Sequence, residues 1–73
     1  MPTGESVKHQ FGRRVRQLRE IKGWSQERLA AEAQLHATYL SGVERGKRNI
    51  SLENIAKLAK ALDVPIAAPF HDP

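Results

Sequence analysis

The chain has 73 residues and no cysteine, and its 12 lysine and arginine residues outnumber 8 acidic residues to give a net charge of +4. This length fits one small domain, and the lack of cysteine excludes disulfides, thiolate metal ligands and a cysteine nucleophile. A hydrophobic fraction of 40% with 27% charged residues is typical of a globular protein. The positive excess favours a polyanionic partner, either nucleic acid or an anionic membrane.

The sequence pattern reveals no targeting signal. No apolar segment is long enough to span a membrane, and the N-terminus lacks the apolar stretch of a secretory signal. We therefore expect a cytoplasmic protein. Residues 1–5 show no periodicity, and we interpret them as a flexible arm before a domain at 6–70, with a tail at 71–73.

The first predicted helix runs from about 7 to 22. Its apolar residues recur three or four positions apart, which is the spacing of one helical face. Ser6 is a suitable cap at its start, and Gly23 is a suitable end. The apolar face consists of Val7, Phe11, Val15, Leu18 and Ile21.

Three further helices are predicted, at 26–33, 37–45 and 52–62. The first two are short and are joined by a tight turn, which makes them a helix-turn-helix. Ser25 and Ser51 stand where caps belong. A short final turn at 65–70 opens at a proline and is interrupted by Pro69. The apolar positions of the fourth helix are Leu52, Ile55, Leu58, Ala59 and Leu62.

The segments SQERLA at 25–30 and LHATYLSGVERG at 35–46 resemble the Cro/C1-type helix-turn-helix family. The similarity extends from about residue 8 to residue 68 and includes SLENIAKLAKAL at 51–62. It implies an all-α, compact, lambda-repressor-like domain of four to five helices that binds DNA and regulates transcription. The run TYLSGVERGKRNIS at 38–51 is most similar to the small controller proteins of restriction-modification operons. That similarity implies control of such an operon, including the protein's own gene.

The second helix of such a pair fits the major groove of B-DNA, where its outward side chains can reach base edges. With Leu40 and Val43 turned inward, the other side chains form the predicted base-reading face. Thr38 and Ser41 can bond to bases or simply to water, whereas Arg45 can bond to guanine or clamp a phosphate. The members of this face are Ala37, Thr38, Ser41, Gly42 and Arg45.

Two members of this face are unusual. Ala37 stands where the family often has a long polar residue, so part of the specificity is expected to come from DNA shape. Gly42 lies inside a helix, where glycine costs about 1 kcal/mol relative to alanine. It either admits the DNA backbone closely or relieves crowding against another helix, and the sequence leaves both options open.

The resemblance also assigns contacts outside the base-reading face. It places Gln26 against a phosphate at the positive end of a helix and pairs Arg19 with Glu44 in a structural ion pair. The loop at 47–49 can reach the same DNA strand, and Tyr39 fits either packing or contact with the sugar-phosphate backbone. The predicted phosphate contacts are Ser25, Gln26, Tyr39, Lys47, Arg48 and Asn49.

A single short helix contacts too few bases to select a genomic site. Members of the family dimerise on a pseudo-palindromic operator, so we expect a homodimer on double-stranded DNA. RNA polymerase is a further expected partner, and activation and repression both stay open. The predicted dimer interface is an apolar patch near the C-terminus that consists of Leu62, Val64, Ile66, Ala67 and Phe70.

Other functional classes find little support in the sequence. The histidines His9, His36 and His71 are too scattered for a metal site, and no serine has the His–Asp setting of a nucleophile. We therefore predict no enzymatic activity, cofactor, metal or small-molecule ligand. Membrane binding is not expected either, because the core uses the apolar stripe of the first helix. One alternative stays open, an antitoxin-like or phage-repressor-like regulator whose main partner is another protein.

Overall fold

Three of the four helices begin at a serine whose side chain caps the first turn. The hydroxyl oxygens of Ser6, Ser25 and Ser51 each accept the backbone N–H three residues further on, at 3.3, 3.0 and 3.1 Å. Each bond satisfies a donor that the helix itself leaves unpaired.

The structure, a computed structural model, describes residues 6–65. Its helices are α1 (Val7–Ile21), α2 (Gln26–Ala33), α3 (Ala37–Glu44) and α4 (Leu52–Leu62).

The all-α prediction is confirmed, since no strand occurs between residues 6 and 65. Helices α2 and α4 have the bounds that the sequence predicts, whereas α1 and α3 each end one residue earlier. The predicted arm at 1–5, the residues of the final turn beyond Pro65 and the tail at 71–73 lie outside the described residues.

Each helix ends at or just before a residue in the left-handed conformation. Gly23 and Gly46 follow α1 and α3 with φ of 74° and 72°. Gln34 and Asp63 end α2 and α4 with φ of 59° and 58°, although side chains make this conformation costly. These sharp ends keep the connections short, so that α2 can fold back against α3 and α4.

The core is built mainly from branched side chains at helical spacing. Leu29, Leu40 and Leu58 are fully buried where α2, α3 and α4 meet. Helix α1 packs chiefly against α3 and closes the core from the other side. Burial of these apolar surfaces supplies most of the favourable free energy of folding. The remaining buried members are Phe11, Val15, Ala30, Ala33, Val43, Ile55, Ala59 and Leu62.

The predicted apolar faces of α1 and α4 include end residues that the structure leaves exposed. Val7 and Ile21 are 66% and 76% exposed, because α1 has 15 residues and extends past the 8-residue helix on which it packs. Leu52 is 80% exposed, since it is the first residue of α4 and follows directly after the cap. The sequence period identifies the buried side of a helix but not how far its partner reaches along it.

Leu62, which the sequence assigns to the dimer interface, lies in the core of the single chain. It is only 3% exposed, because it lies one turn beyond Leu58 on the same face of α4. Val64 is partly buried against the same core. The other predicted interface residues, Ile66, Ala67 and Phe70, lie outside the described residues.

Helix α1 passes very close to the end of α3 at Gly12. A Cβ atom on Gly12 would lie 2.7 Å from the carbonyl oxygen of Glu44 and would also collide with that of Val43. Only glycine permits this approach of two backbones. Arg19 lies two turns further along the same face of α1, so the approach at Gly12 also brings Arg19 up to Glu44.

We expect Gly12→Ala to lower the free energy of unfolding by at least about 2 kcal/mol, because backbone carbonyls cannot move aside for the added methyl group. The matched control is Gly23→Ala, where the Cβ would meet nothing within 4 Å. That substitution introduces only left-handed strain, of about 1 kcal/mol. Urea unfolding of both variants measures the difference. Equal losses would show that the close approach of α1 to α3 is not a tight constraint.

Candidate nucleic-acid interface

A buried ion pair joins α1 to the end of α3. The Arg19 Nε atom donates to Glu44 Oε2 at 2.8 Å, and Nη2 donates to Oε1 at 3.0 Å. The two side chains are only 12% and 2% exposed. Arg19 also donates from Nη1 to the carbonyl oxygen of Trp24 at 2.8 Å. The hydrogen bond to Glu44 raises the pKa of Arg19 above its ordinary value, although burial acts in the opposite direction.

Gln26 adds α2 to this cluster. Its Nε2 atom donates to Glu44 Oε1 at 3.0 Å, so the carboxylate accepts three side-chain hydrogen bonds in all. Among residues 6–65 no buried side-chain nitrogen or oxygen lacks a partner. The amide that the resemblance places against a phosphate is therefore committed, in this structure, to positioning Glu44. Its contact with phosphate stays a prediction.

An open groove lies between the N-terminus of α2 and the outer face of α3. Thr38 on α3 and Arg45 directly after it are exposed, and Ala37 and Ser41 are half-buried beside them. The groove thus brings together four of the five predicted base-reading residues with two of the predicted phosphate contacts. Its lining residues are Arg19, Ser25, Gln26, Glu27, Ala37, Thr38, Ser41 and Arg45.

Arg45 stands at the C-terminal end of α3, directly beside the groove. Its Nε atom donates to the carbonyl oxygen of Ser41 at 3.3 Å, and the side chain is otherwise exposed. The Nη groups of this guanidinium are the atoms that bind guanine or phosphate in bidentate fashion. Arg45 is therefore the groove residue with the greatest capacity to bind an anionic or base-edge partner.

The outward position predicted for Gly42 is wrong. Gly42 is buried, and a Cβ atom on it would point at the side chain of Arg48, with 2.9 Å to Cγ. The direction of position 42 could not be read from α3 alone, because the side chain that covers it comes from the following loop. Tyr39 lies beneath the same arginine, with its ring centroid 5.8 Å from the guanidinium carbon.

The loop after α3 points its side chains in different directions. Lys47 and Arg48 are both exposed. The Lys47 backbone N–H donates to the Gly42 carbonyl oxygen at 2.8 Å, and the Arg48 side chain covers Gly42 and Tyr39 on α3. Asn49 instead lines an apolar hollow with Phe11 and Ile50, away from the groove. Of the three loop residues predicted to contact phosphate, Arg48 lies against α3 through its side chain and Lys47 through its backbone.

Sequence reasoning missed two features of this surface. Glu27 lines the groove, where its carboxylate can accept a hydrogen bond from a cytosine amino group. Trp24 packs against the core while Lys22 and Arg28 lie 4.8 and 4.7 Å from its ring centroid. The sequence carries a signal for the second feature, since a tryptophan with basic residues two before and four after it suits cation–π contacts.

Other kinds of site are not evident in the part of the chain that the structure describes. No group of three or more histidines and acidic residues is arranged to hold a metal ion. None of the four helices combines the length and the apolar character that crossing a membrane requires.

Comparisons with known proteins agree with this geometry. The HTH_3 helix-turn-helix model matches residues 15–68, more than half of the chain. Control protein C.BamHI of Bacillus amyloliquefaciens is 58% identical over 55 residues, which are 74% of this chain and 68% of that protein. Control protein C.MunI of a Mycoplasma species is 40% identical over 67 residues, which are 90% of each chain.

A solved structure gives the same result. The crystal structure of the restriction-modification controller protein C.AhdI from Aeromonas hydrophila matches with a TM-score of 0.84 and 53% identity, over 85% of this chain and 94% of that one. The fold and the groove therefore define a helix-turn-helix protein. The chain belongs to the Cro/C1-type helix-turn-helix family of DNA-binding transcriptional regulators.

We expect Arg19→Met to lower the free energy of unfolding by about 3 kcal/mol, because it leaves the buried Glu44 carboxylate without its cationic partner. Arg16→Met is the control on the same helix. It removes the same charge and breaks the Arg16–Glu20 pair, whose side chains are 63% and 55% exposed. Such exposed pairs contribute less than about 1 kcal/mol. Similar urea midpoints for the two variants would contradict a structural role for the buried pair.

Proposed function

We propose that this protein binds a pseudo-palindromic operator as a homodimer and controls a restriction-modification operon that includes its own gene. The observation that carries this proposal is the groove along α3, where Thr38, Ser41 and Arg45 face outward together. The operon assignment is supported by two relatives that this chain matches over most of their length, one named as a control protein and the other as a restriction-modification controller protein.

The charges around the groove favour a duplex with a phosphate backbone on both sides. Arg45 stands at the edge of the groove, and Lys47 and Arg48 follow in the loop. Glu44 at the end of α3 is buried and paired with Arg19, so it does not repel phosphate. Among residues 6–65, the exposed Glu27 is the one other acidic side chain beside the groove, and these three cations outnumber it. Phosphate contacts hold the protein in register while the α3 side chains contact base edges.

The dimer follows from how little DNA one groove can contact. Three side chains of an eight-residue helix, together with that of Arg45 directly after it, reach only a few base pairs, which cannot select a genomic site. Two copies related by a twofold axis place their α3 helices in successive major grooves, about 34 Å apart. A dimer that overlaps a promoter blocks RNA polymerase, and one bound just upstream can recruit it.

Footprinting on the DNA upstream of the protein's own gene tests this proposal. We expect two protected half-sites about 10 base pairs apart from centre to centre, on the same face of the duplex. Binding should weaken with added salt, with a log–log slope near −0.9 for each phosphate neutralised. A single protected half-site would contradict the dimer. Protection only in other promoters would contradict control of its own operon.

Substitution of Arg45 distinguishes base contact from phosphate contact. We expect Arg45→Ala to weaken operator binding by about 1–3 kcal/mol and to relax the preference at one base pair of each half-site. Lys60→Ala is the matched control, since it removes one exposed cation that lies with Glu32 and Gln34 in a separate hollow between α2 and α4. Titration of operator and random duplexes measures both effects. An equal loss on both duplexes would reassign Arg45 to phosphate.

A further inference from the structure

The side chain of Arg48 lies across α3 in a space that exists because residue 42 is glycine. A Cβ atom at position 42 would be 2.9 Å from Arg48 Cγ and 3.2 Å from Nε. Both distances are shorter than normal contacts, so an alanine there would displace the arginine stem. Because Arg48 is exposed, it can swing out into water and leave the helix undisturbed.

A second contact fixes the end of the same side chain. The Arg48 guanidinium lies over the Tyr39 ring, 5.8 Å from its centroid, within the range of a cation–π interaction. The Tyr39 hydroxyl in turn accepts a hydrogen bond from Asn54 Nδ2 on α4 at 3.1 Å. Arg48 therefore rests on a surface formed by Gly42 and Tyr39, and α4 holds the tyrosine in place.

We propose that Gly42 is a positioning residue for DNA binding, which holds Arg48 ready to contact a backbone phosphate beside the α3 groove. This inference rests on the proposed function, since it assumes a DNA duplex in that groove. A flexible arginine loses rotamer freedom when it binds a phosphate, and contacts made before binding reduce that loss. The glycine thus contributes to affinity through Arg48, without contacting the DNA itself.

The alternative explanation is that Gly42 simply leaves room for the DNA backbone. The two explanations differ in one measurable respect. If Gly42 acts through Arg48, replacing it has no effect once Arg48 is absent. If DNA itself needs the space, the replacement weakens binding whether or not Arg48 is present. A double-mutant cycle separates these cases.

The experiment compares Gly42→Ala, Arg48→Ala and the double variant. We expect Gly42→Ala to melt at the same or a higher temperature than the wild type, because alanine is the better helix former. Its affinity for DNA should fall roughly tenfold at 0.1 M salt, because Arg48 must then be ordered on binding. The log–log salt slope should become shallower by no more than about 0.9, the value for one phosphate contact. In the Arg48→Ala background the same substitution should change neither quantity.

Asn54→Ala provides a second variant that leaves α3 unchanged. It releases the Tyr39 hydroxyl, so we expect a smaller loss of affinity in the same direction, and again none in the Arg48→Ala background. Lys60→Ala serves as the charge control for Arg48→Ala. All variants are titrated with the duplex from upstream of the protein's own gene and with a random duplex of equal length, because a phosphate contact weakens both.

Several results would overturn the proposal. One is that Gly42→Ala binds DNA with wild-type affinity. Another is that Gly42→Ala weakens binding just as much when Arg48 is already alanine, which would show that the DNA itself needs the space at position 42. A loss that accompanies a lower melting temperature in both Gly42→Ala and Asn54→Ala would make the role one of folding. If the wild type binds neither duplex, the proposed DNA-binding function itself fails. If the wild type binds DNA but the variants give one of the results above, only the role of Gly42 fails.

Discussion

The buried carboxylate of Glu44 determines where α3 stands. An ionised group inside a protein must be paired and hydrogen-bonded, or its desolvation would oppose folding. Its partners here come from two other helices, Arg19 on α1 and Gln26 on α2. Because Arg19 also holds the Trp24 carbonyl, the end of α1, the start of α2 and the end of α3 meet at one point. The groove between α2 and α3 takes its shape from this cluster.

Helix α3 depends on that support because it is weak alone. Helix α3 has only eight residues, and His36 at its start makes no side-chain cap. Isolated helices of this length are marginal in water. Its stability therefore comes from the burial of Leu40 and Val43 and from the anchoring of Glu44. A helix held in this way presents its outer side chains in one orientation.

Local patterns predicted much of the fold, whereas contacts between distant elements did not follow from them. The serine caps and the apolar period place α2 and α4 at their observed bounds, because both signals act within a few residues. The burial of Leu62 depends on how far the core reaches along α4. The close approach at Gly12 and the cover over Gly42 involve backbone or side chains from other segments. In the candidate interface, the sequence predicts the outward face of α3. It does not predict that the Gln26 side chain donates a hydrogen bond to Glu44.

The groove-lining positions and the buried positions of α3 are separate, and this has a consequence for how such regulators diverge. The positions that line the groove, Ala37, Thr38, Ser41 and Arg45, are distinct from the fully anchored ones, Leu40, Val43 and Glu44. Under the proposed function, mutation of Thr38, Ser41 or Arg45 alters which bases are contacted while leaving the buried residues of α3 in place. A duplicated gene can therefore acquire a new operator by a few surface substitutions, and two regulators in one cell can become insulated from each other without any change of fold.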